Sequence, residues 1–566
     1  MKNKRNRFLS YLAIALVLLS LSLFVWAKLT MAATATWTNG GGDGLWSTCA
    51  NWSGGTGTGG CPGTSDIATF NSTSTANVAI DAAVSVAGIS IASTYSGIIT
   101  QNTGITVTIG SSGYSQAAGT FTGGNSNIDI NDGAFSLSGG SFTSTSATLS
   151  GERNFTITSG TFTANSGTVT FDGTSSLDDS TLACNSVTFS SVSISKTNFS
   201  ADVTIGSGCT LPLGSSPTTS AGIITNNGAI TLSGATWTLN ASYTQNAGAS
   251  LTMTSTTTWD INDRASTASV PGNLTLSGGT LTASSLTTLN LQGSLDNTGN
   301  LLPNSLAVTL DGADSGDDAT LTCGTVTFSS VTINKTNAGG LTVLASSCTS
   351  TGALTRTDGV VSNPASSYTL TVQGDFSMST TDAFGGANLT VALTGGNTQA
   401  ISQNAANTFS SPLQINKSGN SASLSTNLTT TTATCTVVEG TFDINGKVFT
   451  CGGTFTVEDG GTLQLYGSET PTAPTLNSGS TVKYTGNGDS LTTNYTIADW
   501  TYHHLTVAST DAGDTFATPN ATEDVNGNFT LSAGTFTAPS GNFTIGGNFT
   551  NNATFTHNSG TVVFND

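Results

Sequence analysis

The chain of 566 residues carries 13 Lys plus Arg against 32 Asp plus Glu, a formal charge of −19, and only 8% of its residues are charged. Several of the few basic residues sit in KNKRNR near the N-terminus, so the body is more acidic still and lacks the basic footprint that nucleic-acid binding needs. Disorder is disfavoured as well: 25 Phe and many Val, Ile and Leu recur on a beat, and 67 Gly with abundant Asn supply turns between strand-favouring Thr, Val, Ile and Phe. The composition describes an all-β chain.

Residues 1–35 open with the basic stretch, continue through an apolar run at 8–27, and end at the small-residue site Ala33, Thr34, Ala35. That order reads as a secretory signal. A run of about 20 apolar residues also suffices to span a bilayer, so an uncleaved N-terminal anchor is the alternative, and membrane contact is then confined to this segment. Either way the remainder is expected to be exported, extracellular or at the cell surface. In such a compartment eight Cys read as disulfides. In chain order they fall as Cys49 with Cys61, Cys184 with Cys209, Cys323 with Cys348, and Cys435 with Cys451; two of these pairs share a separation of 25 residues. No CxxC occurs and His is limited to His503, His504 and His557, so no zinc site is expected.

Residues 36–95 hold three of the seven Trp within 16 residues, Trp37, Trp46 and Trp52. From residue 96 the dominant signal is self-similarity, the signature of repeat architectures. Residues 169–198 align without a gap on 308–337, with 20 of 30 positions identical, and the same offset of 139 carries Cys209 onto Cys348. SGIITQN at 96 resembles AGIITNN at 221, and FSSPLQINKS at 409 echoes FSSVTINKT at 328. The copies divide the chain into solenoid modules at 96–220, 221–352, a diverged third at 353–470, and a fourth at 471–566. The final TFTHNSGTVVFND repeats TFTANSGTVTFDG of 161–173, where the earlier copy runs on, so the native chain is expected to continue past Asp566.

Inside each module runs a shorter beat. Phe135, Phe142, Leu149, Phe155, Phe162 and Val169 are spaced 7, 7, 6, 7 and 7 residues apart, and Phe529, Phe536, Phe543, Phe549, Phe555 and Val563 by 7, 7, 6, 6 and 8. Frequent Gly and Thr exclude a coiled-coil heptad. A strand and turn of about seven residues remains, three of which close a coil of about 20 residues: a three-sided parallel β-helix solenoid with one apolar residue buried per side. There is room for about 23 coils. Positions one coil apart lie about 4.8 Å from each other, within reach of a disulfide, so the 25-residue pairs suit staples between neighbouring coils. The Trp-rich start then serves as a cap over the first coil.

The opening resembles the W…G.W…NW…P…D…F start of exported bacterial parallel β-helix proteins of the pectin-lyase-like solenoid type, among them large surface adhesins and autotransporter passengers. Trp37, Gly44, Trp46, Asn51, Trp52, Pro62, Asp66 and Phe70 carry the likeness, and the GTFT…SGTVTF phrases are similar to repeats in very long surface proteins. The resemblance implies a right-handed solenoid and says little about activity.

A carbohydrate-active β-helix enzyme would need clustered acids on adjacent coils, beside an Arg or Lys in a lyase. Asp172, Asp178 and Asp179 are the best candidates, with Asp311, Asp317 and Asp318 as counterparts, while Arg153, Arg264 and Arg356 are isolated in sequence. With Asp314 these acids also make a weak calcium site on a turn, calcium being the one cofactor the sequence suggests. Solvated Asp-Gly and Asp-Asp turns are the simpler reading, since an active site normally occurs once while structural turns recur. Trp500 and Tyr502, in DWTYHHLTV at 499–507, are weak glycan-stacking candidates, and the adjacent His503 and His504 are poor evidence for acid–base work. Trp237, Tyr243 and Trp259 read as strand residues.

The sequence therefore reads as an exported, non-enzymatic β-solenoid presenting a long polar rod for adhesion to glycans, matrix proteins or the cell envelope. The rivals are a polysaccharide lyase or hydrolase on the same scaffold, and a self-assembling filament or surface-layer subunit.

Overall fold

Phrases such as TFT and FTI alternate polar and apolar residues, so each can turn one side chain inward and its neighbours outward. In the computed structural model these phrases are short strands. It describes residues 32–213, 222–262, 272–303, 305–313, 317–336 and 340–565. Residues 1–31, most of the expected signal or anchor at 1–35, lie outside the described residues, as do Arg264, Asp314 and Asp566. The chain is all-β and forms a parallel β-solenoid of about 23 turns with roughly 21 residues per turn, as the beat predicts. No helix among the described residues is long and apolar enough to cross a membrane.

The described residues fall into two compact units, one reaching Gly151 and taking in Ile157–Gly167, the other made of Glu152–Thr156 and the chain from Thr168 onward. In the first unit, strand Ala33–Trp37 pairs antiparallel with Trp52–Ser53, Trp37 opposite Trp52, and parallel with Asp66–Phe70. Trp37, Trp46 and Trp52 are buried around Phe70, with ring centroids 4.6 to 6.2 Å apart. The indole N–H of Trp52 donates to the Trp46 carbonyl and that of Trp37 to Ala76, so the cluster buries its rings without orphaning a donor. Asp66 is fully buried beneath this cap. Burial works to raise its carboxyl, but the Gly63 and Thr56 N–H groups outweigh it and hold it low. A disulfide joins Cys49 and Cys61 within the cap.

Deeper in the first unit, strands Thr120–Thr122, Ser141–Thr143 and Thr161–Thr163 stack in register, so that Phe121, Phe142 and Phe162 form one inward column. Their rings lie nearly parallel, 4.9 and 5.6 Å between centroids.

The second unit shows the three-sided coil plainly. Ile224–Asn226, Ala229–Leu232 and Thr236–Leu239 make one coil; Tyr243–Gln245, Ser250–Met253 and Thr258–Ile261 pair with them in parallel, strand for strand. The same order repeats at Leu274–Leu276, Thr280–Ala283 and Thr288–Leu291. Trp237 stacks on Trp259 at 4.8 Å with Tyr243 edge-on, all three buried. Disulfides join Cys184 to Cys209 and Cys323 to Cys348, with Cα atoms 4.9 and 5.5 Å apart, and Cys435 to Cys451. The 25-residue pairs thus staple neighbouring coils.

The structure corrects one position of the beat. Val562, not Val563, faces Phe543, and Phe564 faces Ile545, while Val563 pairs with the outward Thr544. Two adjacent valines leave the phase of this strand ambiguous. The turn before it decides: Asn558 and Ser559 both have left-handed φ, as Asn165 and Ser166 have before the earlier copy. A one-residue slip exchanges the two faces of a strand.

Two tests follow from the stack. Phe142→Ala should destabilise the first unit by about 3–5 kcal/mol in urea unfolding, because the hole opens between ring neighbours above and below that cannot collapse into it. Replacing Cys184 and Cys209 together with Ala should cost about 3.5 kcal/mol, the chain-entropy value for a loop of that length, read as a lower urea midpoint under oxidising conditions.

Candidate functional site

Asp172 ends the inward–outward alternation of strand Thr168–Gly173, and the acidic turn begins at Gly173. This glycine has φ +147, and an added Cβ would lie 2.6 Å from the Cβ of Asp178, so the Asp-Gly step exists to let Asp178 fold back over the backbone. Asp178 is buried and accepts the Ser175 N–H at 2.7 Å. Asp179 points outward and accepts the N–H of Asp202, first in line on the following coil, at 2.8 Å. The second copy repeats the design: Gly312 packs against Asp317, which is also buried, and Asp318 accepts the Leu341 N–H at 2.9 Å.

At the centre of each turn lies a lysine. Strand Ser191–Lys196 turns Val192, Ile194 and Lys196 inward, and the fully buried Lys196 ammonium donates to the carbonyls of Glu152 at 2.5 Å, Asp178 at 2.6 Å and Asp172. Three donors meet three acceptors. Lys335 in the second copy donates to the carbonyls of Gln292 at 2.8 Å and Asp311. The main-chain carbonyls that could help hold a cation on these turns are thus taken by an ammonium. Burial pushes both lysines down to about 8, against the upward pull of the nearby carboxylates, Asp178 first for Lys196 and Asp317 for Lys335. Burial likewise raises the half-buried Asp311 carboxyl, against the Lys335 charge that lowers it.

The device recurs beyond the acidic turns. Lys417, inward on strand Leu413–Leu424, donates to the carbonyls of Thr394 at 3.0 Å and Asn397 at 2.6 Å and to the Gln399 side chain at 2.6 Å. Arg356 is fully buried, its guanidinium donating to the carbonyls of Gly359, Asp382 and Ala383 at 2.8 to 3.1 Å and lying 5.6 Å from the Phe384 ring centroid. Such a cation is not placed to take a proton from substrate. Sequence reasoning did not single out these lysines. The available signal was their phase: SVSISKT, SVTINKT and PLQINKS each place Lys two residues after an inward Ile.

The 499–507 segment corrects a further expectation. Tyr502 is completely buried; its hydroxyl donates to the Ala498 carbonyl at 2.5 Å and lies 2.9 Å from the Tyr484 hydroxyl, so it offers no ring face to a sugar. Trp500 is half-buried, 6.3 Å from the Tyr502 ring. His503 Nδ1 accepts the Gly479 N–H at 3.0 Å and His504 Nδ1 accepts the Asn528 N–H at 2.8 Å. A neutral ring that accepts at Nδ1 carries its proton on Nε2, so His503 donates to the Ser478 hydroxyl 3.2 Å away instead of serving it as a base. Burial, helped by His503, lowers the His504 imidazole.

What faces solvent regularly is hydroxyl. Thr120, Ser141 and Thr161 form one outward row and Thr122, Thr143 and Thr163 a second, at the strand spacing of about 4.8 Å. In the second unit Thr515, Thr535 and Thr554 align beside Ala517, Thr537 and Thr556 over the Phe516, Phe536 and Phe555 column. A third set runs Thr236, Thr258, Thr288 beside Thr238, Asp260, Asn290 and Thr309. Comparison with protein families, curated proteins and solved structures returned no match for this chain.

Lys196→Met should destabilise the second unit by about 3 kcal/mol or more, since it strands three buried carbonyls, whereas Lys447→Met on a half-buried bend should change stability by less than about 0.5 kcal/mol. Urea unfolding of the two variants beside the parent checks both values.

Proposed function

We propose that this chain is an exported, non-enzymatic β-solenoid surface protein whose coils present rows of Thr, Ser and Asn for contact with glycans or the cell envelope. The observation that carries the reading is the in-register alignment of outward hydroxyls over rigid inward aromatic columns. Fixed side chains on a flat sheet hydrogen-bond a repeating ligand with little further loss of rotamer entropy. Four disulfides agree with an oxidising compartment. The candidate acids favour the non-enzymatic reading: Asp178 is tied into its own turn, Asp179 and Asp318 are tied to the next coil, and the lysines beside them are satisfied by main-chain carbonyls. The adhesive role itself rests on analogy with solenoids that work by display.

A glycan array with polysaccharide turnover assayed in parallel tests the proposal. The parent is expected to retain particular glycans without releasing product. A variant with Thr535, Thr537, Thr554 and Thr556 all changed to Val keeps the shape of each side chain and should lose binding about tenfold or more while unfolding at a similar urea concentration. Release of shortened glycan by the parent would replace display with catalysis.

A further inference from the structure

The second unit houses its buried carboxylates with care. Asp514 is fully buried and accepts the Thr493 N–H and the Ser509 hydroxyl, both at 2.9 Å, and Asp178, whose Oδ1 also lacks a hydrogen-bond partner, has its turn N–H and the Lys196 ammonium nearby. Glu523 is the exception. Strand Glu523–Val525 turns Glu523 and Val525 inward and Asp524 outward, and it pairs with Asn542–Ile545 so that Glu523 lies beside Phe543. On its other side Tyr502 bridges Val525, so that Trp500 and Glu523 each stand two residues before the bridge. The Glu523 side chain is 4% exposed, and its Oε2 has no hydrogen-bond partner.

The charges around it are all of the wrong sign for an ion. Asp499 precedes the Trp500–Tyr502 segment, Asp524 neighbours it on its own strand, and Asn542–Ile545 brings no titratable side chain. The Tyr484 and Tyr502 hydroxyls are engaged with each other and with the main chain at Ala498. His503 is turned toward Ser478 and Gly479 of an earlier coil, and His504 holds the Asn528 N–H.

We propose that Glu523 is a proton-operated switch on the C-terminal coils: protonated, it packs as a core residue between Trp500 and Phe543; ionised, it draws its strand out of the stack. A carboxylate with no cation and one unanswered oxygen must reach water, and from an inward position it does so only by breaking the ladder with Asn542–Ile545. Burial, reinforced by Asp499 and Asp524, pushes the Glu523 carboxyl up to about 8 from an ordinary 4.5. Between those values the folded chain holds a proton that the unfolded chain has released. The contribution is therefore full below about pH 4.5, declines as pH rises, and is lost once pH passes about 8.

The test compares the full chain with Glu523→Gln, Glu523→Leu and Asp524→Asn between pH 5 and pH 9, by urea unfolding and by Trp500 emission, assigned with Trp500→Phe. For the parent, the unfolding constant of these coils should rise at least about tenfold across this range and the Trp500 emission should shift with it. Glu523→Gln should flatten both profiles to within about twofold, and Glu523→Leu should do the same if the amide is poorly housed. Asp524→Asn should keep the transition and move its midpoint slightly down. His503 and His504 are unchanged in all variants, so their contribution cancels in the comparison. A parent with no transition, a Glu523→Gln or Glu523→Leu variant that retains it, or an Asp524→Asn variant that abolishes it would overturn the proposal.

Discussion

In a parallel stack each inward side chain lies over the same position of the next coil, about 4.8 Å away, and this columnar constraint governs the molecule. A Phe in one coil favours a Phe in the next, as at Phe121, Phe142 and Phe162, because flat rings fill the column without voids. The main-chain bonds between coils hold that register, and coils are stabilised chiefly by their immediate neighbours. A polar residue that enters a column must bring its own satisfaction. Lys196, Lys335 and Lys417 meet that demand with main-chain carbonyls, as Arg356 does at its terminal nitrogens, since the columns themselves supply few acceptors. The capping Trp cluster meets it at the other extreme, with rings buried and each observed indole donor led to a carbonyl.

Repetition made most of this fold legible. Seven-residue spacing of Phe, the offset of 139 between copies and the paired Cys suffice for the coil, its length and its staples, because each depends on period alone. Phase is harder than period: with Val562 and Val563 adjacent, only the left-handed Asn558–Ser559 turn tells which faces Phe543. Partners are harder still. Tyr502 reads as a sugar platform from its aromatic neighbourhood, yet its column places it opposite Val525 in the interior. The acidic turns looked like ligand sites because the residue that completes them, Lys196, sits 18 positions beyond Asp178 and a coil away in space. Sequence proximity shows the anions; only the stacking shows the cation.

Chemistry-bearing residues and the displayed surface thus occupy different parts of the design. Asp178 and Asp317 turn inward and help the chain leave and re-enter the coil, while Asp179 and Asp318 hold the next coil's first N–H. Their duplication follows naturally from a role that every module needs. The outward rows, by contrast, are chemically plain and geometrically regular, which suits recognition of something equally repetitive.

The carbonyl-held cations alter how the protein looks from outside. Of the Lys and Arg among the described residues, four are sealed in the interior, leaving Arg153, Lys447 and Lys483, each half-buried. The surface is thus more one-sidedly negative than the net charge of −19 conveys, for four of the counter-charges are turned inward. Polymers bearing sulfate or uronate approach such a surface against its field, increasingly so as salt is diluted, while neutral chains meet no such barrier. The internal lysines, recruited to close turns, thereby leave the described surface short of positive charge.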